Sequence, residues 1–391
     1  MLYITMSMKK DFYSLIFAQN YVTYHSSIYR EFFKKSKKKT IVIYEDAVGY
    51  ENRYEERWKT NIKWGIDLKK GYKSILLKNF SKNPNSQNFF SRINWQIPFV
   101  IYKVKPKFIL FQGYSDLSSW LILFFSIILR VRNLAWKGER VLKKEEKVFF
   151  LKKFILKYFF FKFCNTIYYS CIGNLEYLQL FNIDRTKLMP LNCSVDNYYF
   201  QEQYKKLKNR KIDIKKKINV NISYFTILAI SNFEKRKNIA LLLSILPFIE
   251  GKKIQIVLVG SGKDYENIIK KVYRFRNQIK IFSFTDISKI PEFYTIADVF
   301  CLLSSYDPSP KTLNEALNFY LPCIISSNVG TARDLIKNNT NGFVISTYSK
   351  FKLINAINRI LCNKKIYDST RHRNLLLLDK YSPKENANAI F

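Results

Sequence analysis

Apolar and polar positions follow one another in a regular order through the second half of the chain. Short runs of apolar residues alternate with longer segments whose apolar residues recur at helical spacing. The predicted strands are 224–230, 254–259, 279–284, 299–303, 322–326 and 343–346, and helices are predicted at 238–249, 287–297, 310–320 and 331–337. Near-continuous apolar strands that alternate with helices indicate a parallel sheet covered on both faces.

The first half of the chain shows a looser version of the same alternation. Its predicted strands are 14–18, 40–44, 74–78, 108–112, 166–171 and 187–191. We therefore expect an α/β fold with two Rossmann-like, doubly wound parallel-sheet domains in tandem, at 1–200 and 221–374. The lysine-rich segment 201–220 has neither Gly nor Pro and is interpreted as the link, and a tail at about 375–391 is expected to pack back on the first domain. Two such sheets that face each other would hold a ligand in the cleft between them, at the carboxyl ends of their strands.

The net charge of the chain indicates which classes of partner it favours. The 391 residues include 66 Lys and Arg against 30 Asp and Glu, so the net charge is +36. This excess favours nucleic acid, an anionic lipid surface or phosphorylated substrates as partners. The chain is also rich in Ile, Asn, Phe and Tyr, which is consistent with a compositional bias that accounts for part of the lysine.

Membrane, secretion and metal signals are weak. The longest apolar stretch, 117–129, has 13 residues, whereas a membrane span needs about 20. No signal peptide is visible. The six cysteines show no C-x-x-C spacing and are expected to be buried thiols, and with two histidines a zinc site is not expected. We therefore predict a cytoplasmic protein without a metal ion.

The segment 304–315 carries the most specific chemistry. It follows a predicted buried strand and opens a helix, with Ser309 suited to the N-cap and Pro310 to the first helical position. The free N–H groups and the dipole of such a helix start favour phosphate. Asp307 precedes the helix, and Glu315 lies on its surface beside Lys311. A nucleotide-sugar needs these groups, although an ordinary capped helix with two solvated acids would show the same residues.

This segment resembles the acidic-x7-Glu signature of glycosyltransferase family 4, the group 1 transferases of GT-B fold. The flanking segments 297–300, 321–325 and 329–343 resemble the family on both sides, and the likeness spans about 228–344. The resemblance implies a GT-B fold and a retaining, metal-independent transfer from a UDP- or GDP-sugar, with no cofactor. It also implies a glycan or lipid-linked saccharide as acceptor, as in bacterial surface-polysaccharide assembly.

The resemblance also implies roles for individual residues. Asp307 matches the acid that holds the donor sugar, where the family usually has Glu, and Glu315 matches the ribose-binding acid. Lys237 matches the lysine that contacts the donor diphosphate. Asn232 stands where Arg is usual, so this phosphate cation is either missing or supplied by Arg236 or Lys311. The further residues implied on the donor side are Thr312 and Leu313, through their backbone amides, and Gly260 and Phe284.

The first half resembles the family more weakly. The motifs Tyr24-His25-Ser26, Gly113-Tyr114-Ser115 and Lys137-Gly138-Glu139, together with Trp64, are similar to those of bacterial polysaccharide transferases. The acceptor-side residues that this implies are His25, Tyr114, Ser115 and Glu139. A histidine without chemistry at a loop or helix start is the alternative for His25.

A basic aromatic stretch at 143–162 suits the surface of an anionic bilayer, because lysines flank its six phenylalanines. The alternative is a packed helix that buries the phenylalanines and solvates the lysines. Two other functional classes stay open. One is a non-catalytic GT-B scaffold, and the other is a nucleic-acid-binding protein, against which the lack of zinc-finger spacing and RNP-type motifs counts. We expect no nucleic-acid partner.

Overall fold

The computed structural model describes residues 14–50, 53–55, 60–62, 67–84, 88–143, 147–283, 286–346, 348–363 and 365–391. These residues form two compact units. The first unit contains the described residues of 14–50 and 67–192 together with Pro383–Phe391. The second contains Cys193–Ser382 and two short strands between residues 53 and 62.

Strands of both units are short and mostly buried. In chain order they are β1 Ser14–Ala18, β2 Thr40–Tyr44, β3 Arg53–Glu55, β4 Thr60–Ile62, β5 Lys73–Leu76, β6 Phe108–Gln112, β7 Asn133–Gly138, β8 Thr166–Tyr169, β9 Leu188–Pro190, β10 Phe225–Ile230, β11 Ile254–Val259, β12 Ile279–Phe282, β13 Val299–Leu302, β14 Cys323–Ser326 and β15 Gly342–Ile345. The pair β3–β4 is antiparallel, and the other pairings of the described strands are parallel.

Helices connect these strands. They are α1 Thr23–Lys35, α2 Ile97–Val104, α3 Leu117–Ile128, α4 Phe150–Ile155, α5 Ile172–Gln179, α6 Asn197–Leu207, α7 Lys211–Lys217, α8 Ile239–Leu243, α9 Leu246–Ile249, α10 Tyr265–Val272, α11 Ile290–Ile296, α12 Lys311–Asn318, α13 Ala332–Leu335, α14 Lys350–Cys362, α15 Lys365–Lys380 and α16 Pro383–Ile390. A π-helical turn, Leu156–Phe160, continues α4. Among the described helices, none is both long enough and apolar enough to cross a membrane.

The first unit is built on a seven-stranded sheet with the order β5-β2-β1-β6-β7-β8-β9. Central strands such as β1 and β2 are buried along their whole length, because helices cover both faces of the sheet. The order reverses between β1 and β6, so the chain winds outwards in both directions from this point. Helix α16, near the end of the chain, packs against α1 in this unit. It also contacts β8, because the hydroxyl of Tyr168 donates to the carbonyl oxygen of Ala389 (3.3 Å).

The second unit is built on a six-stranded sheet with the order β12-β11-β10-β13-β14-β15. Its central strands β10, β11 and β13 bury apolar side chains against helices from both faces. The order reverses between β10 and β13. The predicted α/β class with two doubly wound parallel sheets is therefore confirmed, and most predicted strands lie within two residues of the observed ones.

Several features differ from the sequence expectations, beginning with β7 and one cysteine. Strand β7 was not predicted, because its six residues include Asn133, Lys137 and Gly138 and form no continuous apolar run. It is nevertheless an inner strand of the first sheet, and Trp136 is 1% exposed. Of the six cysteines, five are buried as expected and Cys362 is exposed.

Segment 201–220, expected as a link, is mainly helical and belongs to the second unit. Helices α6 and α7 pack against α11 there. Lys215 is buried, donates to the carbonyl oxygen of Tyr224 (2.7 Å), and has its pKa lowered to about 8 by burial. The high lysine content suggested an exposed link, but one face of α7 carries Ile214 and packs into the unit. The division between units falls after residue 192, eight residues before the expected position.

Candidate functional site

The candidate site lies where the strand order of the second sheet reverses. Strands β10 and β13 are neighbours there, and the loops that follow them leave the same edge of the sheet. Doubly wound sheets bind ligands at this position. Ser305 joins the two loops, since its backbone N–H (2.8 Å) and its hydroxyl (3.2 Å) both donate to the carbonyl oxygen of Arg236. Segments 231–238 and 303–310 are therefore held together.

An ion pair between Lys237 and Asp307 connects these two loops. The ammonium group donates to Oδ2 of the carboxylate, and the two side chains are only 11% and 9% exposed. The backbone of Asp307 is held separately, because its carbonyl oxygen accepts the N–H of Gly330 (2.8 Å). A buried charge that loses its partner is costly. The pair therefore behaves as one unit, and either residue alone would be a buried uncompensated charge.

Glu234 organises the other polar residues of the loop after β10. Its carboxylate accepts Nε of Arg236 (2.7 Å) and the side-chain amide of Asn232. Arg236 also donates from Nη1 to the carbonyl oxygen of Tyr306 (3.4 Å). Asn232 is buried, whereas the Arg236 side chain is 38% exposed. Arg236 is thus held at the edge of the site by Glu234, a residue that the sequence interpretation did not single out.

Helix α12 starts one residue later than predicted. Its N-cap is Pro310 rather than Ser309, and no side chain among the described residues caps it through a hydrogen bond. The hydroxyl of Ser309 instead lies 3.2 Å from Nζ of Lys311, which also lies 3.1 Å from the thiol sulfur of Cys193. Leu313 is buried. The first-turn amides, which include those of Thr312 and Leu313, have no partner within a helix of this kind and suit an anion.

Glu315 lies one turn into α12 and is bound by a tyrosine that sequence interpretation missed. The hydroxyl of Tyr294 lies 2.8 Å from Oε2 of Glu315 and 3.1 Å from the carbonyl oxygen of Thr312. Burial raises the pKa of Glu315 to about 7, and the hydrogen bond from Tyr294 opposes this rise. Tyr294 is fully buried and stacks on Phe319. A buried tyrosine needs a partner for its hydroxyl, so a lone Tyr in an apolar helical run was a usable signal.

Gly260 contributes through its backbone. It follows β11 with φ +149°, and a Cβ there would lie 1.9 Å from the carbonyl oxygen of Ser231. Only glycine permits this close approach of the loops that follow β10 and β11. Phe284, the other predicted donor-side residue on this edge, lies outside the described residues. The structure thus relates Gly260 to the shape of the 231–238 loop.

The acceptor-side candidates of the first unit lie in different local surroundings. The ring of His25, at the start of α1, contacts Tyr24 and Tyr29. The hydroxyl of Tyr114 hydrogen-bonds that of Tyr177 (2.6 Å) and its ring packs among core aromatics. Ser115 is exposed in the following loop, and Glu139 lies 3.5 Å from the buried ammonium group of Lys137. Trp64 lies outside the described residues.

A buried charged network occupies the carboxyl ends of β2 and β6 in the first unit, and sequence interpretation missed it. Arg92 binds Oδ2 of Asp116 (2.7 Å) and lies 3.6 Å from the carboxylate of Glu45. Asp116 also caps α3 by accepting the N–H of Ser119 (3.0 Å). The pKa of Glu45 is raised to about 8, first by burial and then by the nearby carboxylates of Asp116 and Asp46, whereas Arg92 lowers it. Within the described residues no cluster of His, Cys, Asp and Glu is suited to a metal ion.

The basic aromatic stretch is divided between the core and the surface of the first unit. Phe160 and Phe161 are buried in the core of the first unit. Phe149 and Phe150 are 74% and 78% exposed, and Phe154 and Phe159 are also exposed. Lysines at 147, 152, 153, 157 and 162 accompany them. One side of the stretch is therefore core, and the other presents aromatic and cationic side chains to solvent.

Comparison with known proteins finds glycosyltransferases among the similar sequences. Residues 210–374 match the family model "Glycosyl transferases group 1". The chain is 23% identical over 140 residues to the amylovoran biosynthesis glycosyltransferase AmsD of Erwinia amylovora. This alignment covers 36% of this chain and 39% of AmsD. It is 27% identical over 204 residues to the O-antigen biosynthesis glycosyltransferase WclY of Escherichia coli, covering 46% and 56%. The chain thus spans about half the length of the curated relatives it matches.

Among solved structures, HepE of Anabaena in complex with UDP is similar over almost its whole length. The TM-score is 0.73 at 13% identity, with 97% of this chain and 98% of HepE covered. HepE has also been solved with UDP-glucose, at a TM-score of 0.70. This likeness confirms the GT-B fold class, and the family model and the names of the relatives support a group 1 glycosyltransferase of that fold.

Proposed function

We propose that the chain is a retaining glycosyltransferase that moves a sugar from a UDP- or GDP-sugar to a glycan or lipid-linked saccharide. The observation that carries the proposal is the Lys237–Asp307 ion pair, which lies at the switch point of the second sheet just before α12. A cation, a carboxylate and a helix start converge there, which is the set of groups that a nucleotide-sugar requires. HepE, which shares the fold, is known with UDP and UDP-glucose.

Each group has a separate task in donor binding. Lys237 and the first-turn amides of α12 bind the diphosphate, with Lys311 and Arg236 as further cations. Asp307 accepts hydrogen bonds from hydroxyls of the sugar. Glu315, in its ionised form, accepts those of the ribose, and Tyr294 orients it from below through its hydroxyl (2.8 Å). Because Asn232 and Arg236 share the carboxylate of Glu234, Arg236 is the cation that replaces the arginine expected at 232.

The reaction then proceeds on one face of the sugar. An acceptor hydroxyl attacks the anomeric carbon from the side on which the nucleoside diphosphate leaves, and an oxygen of the leaving phosphate takes the hydroxyl proton. The new glycosidic bond keeps the configuration of the donor. Cations and helix-end amides stabilise the charge that develops on the diphosphate, which is the preorganised electrostatic role that such groups fill in transfer reactions. We propose that this needs neither a metal ion nor a cofactor.

The first unit binds the acceptor in this proposal, with His25, Tyr114, Ser115 and Glu139 as the candidate contacts. The names of AmsD and WclY, which refer to amylovoran and O-antigen biosynthesis, support a glycan of cell-surface polysaccharide assembly as the product. We place the reaction in the cytoplasm. The side chain of Tyr114 already bonds Tyr177, so a role through its ring is more direct than one through its hydroxyl.

Nucleotide release from a panel of UDP- and GDP-sugars tests the proposal. Wild-type protein should release one nucleotide, and Glu315→Ala and Lys237→Ala should abolish release. Lys235→Ala is the matched control, because Lys235 is an exposed lysine of the same loop. A thermal-shift screen identifies the donor, since a ligand at 100 times its Kd stabilises the folded state by about 2.7 kcal/mol. Wild-type protein that binds a nucleotide-sugar but is inert with every acceptor would be a non-catalytic GT-B scaffold.

We also propose that the first unit attaches peripherally to an anionic membrane surface through the exposed side of segment 143–162. Exposed Phe149 and Phe150 beside several lysines support this, because aromatic side chains enter the interface and basic ones bind the anionic surface. Sedimentation with anionic liposomes at low salt tests it. Protein that stays in the supernatant would overturn the attachment and leave the glycosyltransferase proposal intact.

A further inference from the structure

Three consecutive helical segments of the first unit form one layer on one face of its sheet. Helix α2, helix α3 and the π-helical turn after α4 all place side chains in the same buried core. Their buried members are Ile97, Val100 and Ile101 of α2, Ile122 and Leu123 of α3, and Leu156 and Phe160 of the turn. Trp120 of α3 contacts Phe160 (ring centroids 5.0 Å apart), so α3 and the turn are neighbours.

The outer side of α3 is apolar, which is unusual. A helix that covers a sheet normally turns polar residues to solvent, but the twelve residues of α3 include no charged side chain. Phe124, Ile127 and Ile128 of α3 are 56%, 42% and 54% exposed, and Phe99 and Tyr102 of α2 are 44% and 61% exposed. Contiguous apolar surface of this kind marks an interaction site in a soluble domain.

A basic cavity adjoins this surface at the ends of α2 and α3. Its volume is about 420 Å³, and its walls include Lys105 and Lys107 from the loop before β6 and Arg130 and Arg132 from the loop before β7. None of the described residues that line it is acidic. Strands β6 and β7 are adjacent, so the two loops lie side by side at the amino ends of the strands. This is the edge opposite to the carboxyl ends, where doubly wound sheets bind substrates.

We propose that the outer face of the α2–α3–α4 layer is a membrane-docking surface and that the cavity holds the phosphate of an anionic phospholipid. Arg and Lys side chains bind the phosphate oxygens, while Phe124 and Ile128 enter the lipid interface next to it. Phe150 of α4 and Phe159 of the turn that packs against α3 are exposed as well. The inference deepens the attachment proposed above and rests on it for the kind of partner, but it depends on different residues.

The test compares two variants that lose the same charge. The cavity variant carries Lys105→Gln, Lys107→Gln, Arg130→Gln and Arg132→Gln. The control variant carries Lys270→Gln, Lys271→Gln, Arg274→Gln and Arg276→Gln, at exposed positions of the second unit. Both are measured as full chains by flotation with vesicles of phosphatidylcholine, with and without phosphatidylglycerol.

We expect wild-type protein to float with the vesicles that contain phosphatidylglycerol and not with phosphatidylcholine alone. Each basic residue at a membrane surface strengthens binding by roughly fivefold, so the cavity variant should lose about 100-fold or more in partitioning and the control variant less than about tenfold. Equal losses in both variants would overturn the inference, because binding would then follow net charge alone.

A third variant tests the apolar part. Phe124→Ser together with Ile128→Ser should remove the binding that survives at high salt, because burial of apolar surface is insensitive to screening. Binding that is equal to wild type at high salt would contradict the docking of this face.

A thermal shift with nucleotide-sugar on the same preparations separates this inference from the proposed function. If the wild-type protein binds a nucleotide-sugar and ignores anionic vesicles, the docking inference fails together with the attachment of segment 143–162, and the glycosyltransferase proposal stands. If it floats with vesicles and binds no nucleotide-sugar, the proposed function fails and the docking inference stands.

Discussion

Replacing Lys237 with Met removes one partner of the buried pair and leaves the carboxylate of Asp307 in place, where its side chain is only 9% exposed. Loss of one partner of a buried ion pair costs about 3–5 kcal/mol. We therefore expect Lys237→Met to lower the free energy of unfolding by about 3–4 kcal/mol.

Urea denaturation measures this effect. Asp307→Asn and the double variant complete a mutant cycle, in which the double variant should lose about 2 kcal/mol less than the sum of the two single variants. Lys235→Met in the same loop is the control and should change the free energy of unfolding by less than about 0.5 kcal/mol, as exposed substitutions do.

A loss below about 1 kcal/mol for Lys237→Met would refute the reasoning about this pair, because that is the range of an exposed ion pair. Such a result would mean that water reaches the pair in solution.

Three further predictions concern Glu45, Tyr294 and Gly260. Burial raises the pKa of Glu45 from 4.5 to about 8. The folded state therefore keeps a proton that the unfolded state loses, and the contribution of this proton to stability is complete below about pH 4.5 and is lost as the pH rises through about 8. Urea denaturation from pH 5 to pH 8 should therefore show wild-type protein losing more stability than Glu45→Gln, by at most about 5 kcal/mol, and parallel curves would contradict this. Tyr294→Phe removes the hydrogen bond that lowers the pKa of Glu315. If UDP binding needs the ionised carboxylate as proposed, calorimetry should show a pH midpoint of binding near 7 in wild type and a higher midpoint in the variant. UDP binding that does not change with pH would argue against contact between Glu315 and the ribose. Gly260→Ala places a methyl group 1.9 Å from a carbonyl oxygen, whereas Gly251→Ala, also at positive φ, meets no atom within 4 Å. Thermal unfolding should show a loss of stability of about 3 kcal/mol or more for Gly260→Ala and of about 1 kcal/mol for Gly251→Ala. Equal losses would remove the steric explanation.

The donor-side residues show how far a local motif predicts a site. Asp307, Lys311 and Glu315 lie within nine residues of one another, so helical spacing was enough to predict that they surround one helix start. Lys237 lies 70 residues before Asp307, and its place followed from the family resemblance rather than from spacing. The start of α12 was misplaced by one residue, because Ser309 and Pro310 each suit a helix start and only the backbone geometry separates them.

The sequence interpretation missed the residues that support the site, although Tyr294 left a local signal. Tyr294 orients Glu315, and Glu234 holds Arg236, but each of these contacts depends on where a neighbouring element ends. The network of Glu45, Arg92 and Asp116 joins residues up to 71 positions apart in the chain, and no local pattern marks it. The pKa values of Glu45 and Glu315 are raised by burial, which is itself a result of tertiary packing.

The sequence by itself determined the alternation of strands and helices, the parallel class of both sheets and the carboxylates of the donor segment, because hydrophobic periodicity and helix-start chemistry act over a few residues. Tertiary structure decided the rest. It added the inner strand β7, whose Lys137 is buried because neighbouring strands and helices enclose it, and it made α6 and α7 part of the second unit instead of a link. Burial and partner choice depend on contacts between distant segments, which a one-dimensional pattern does not contain.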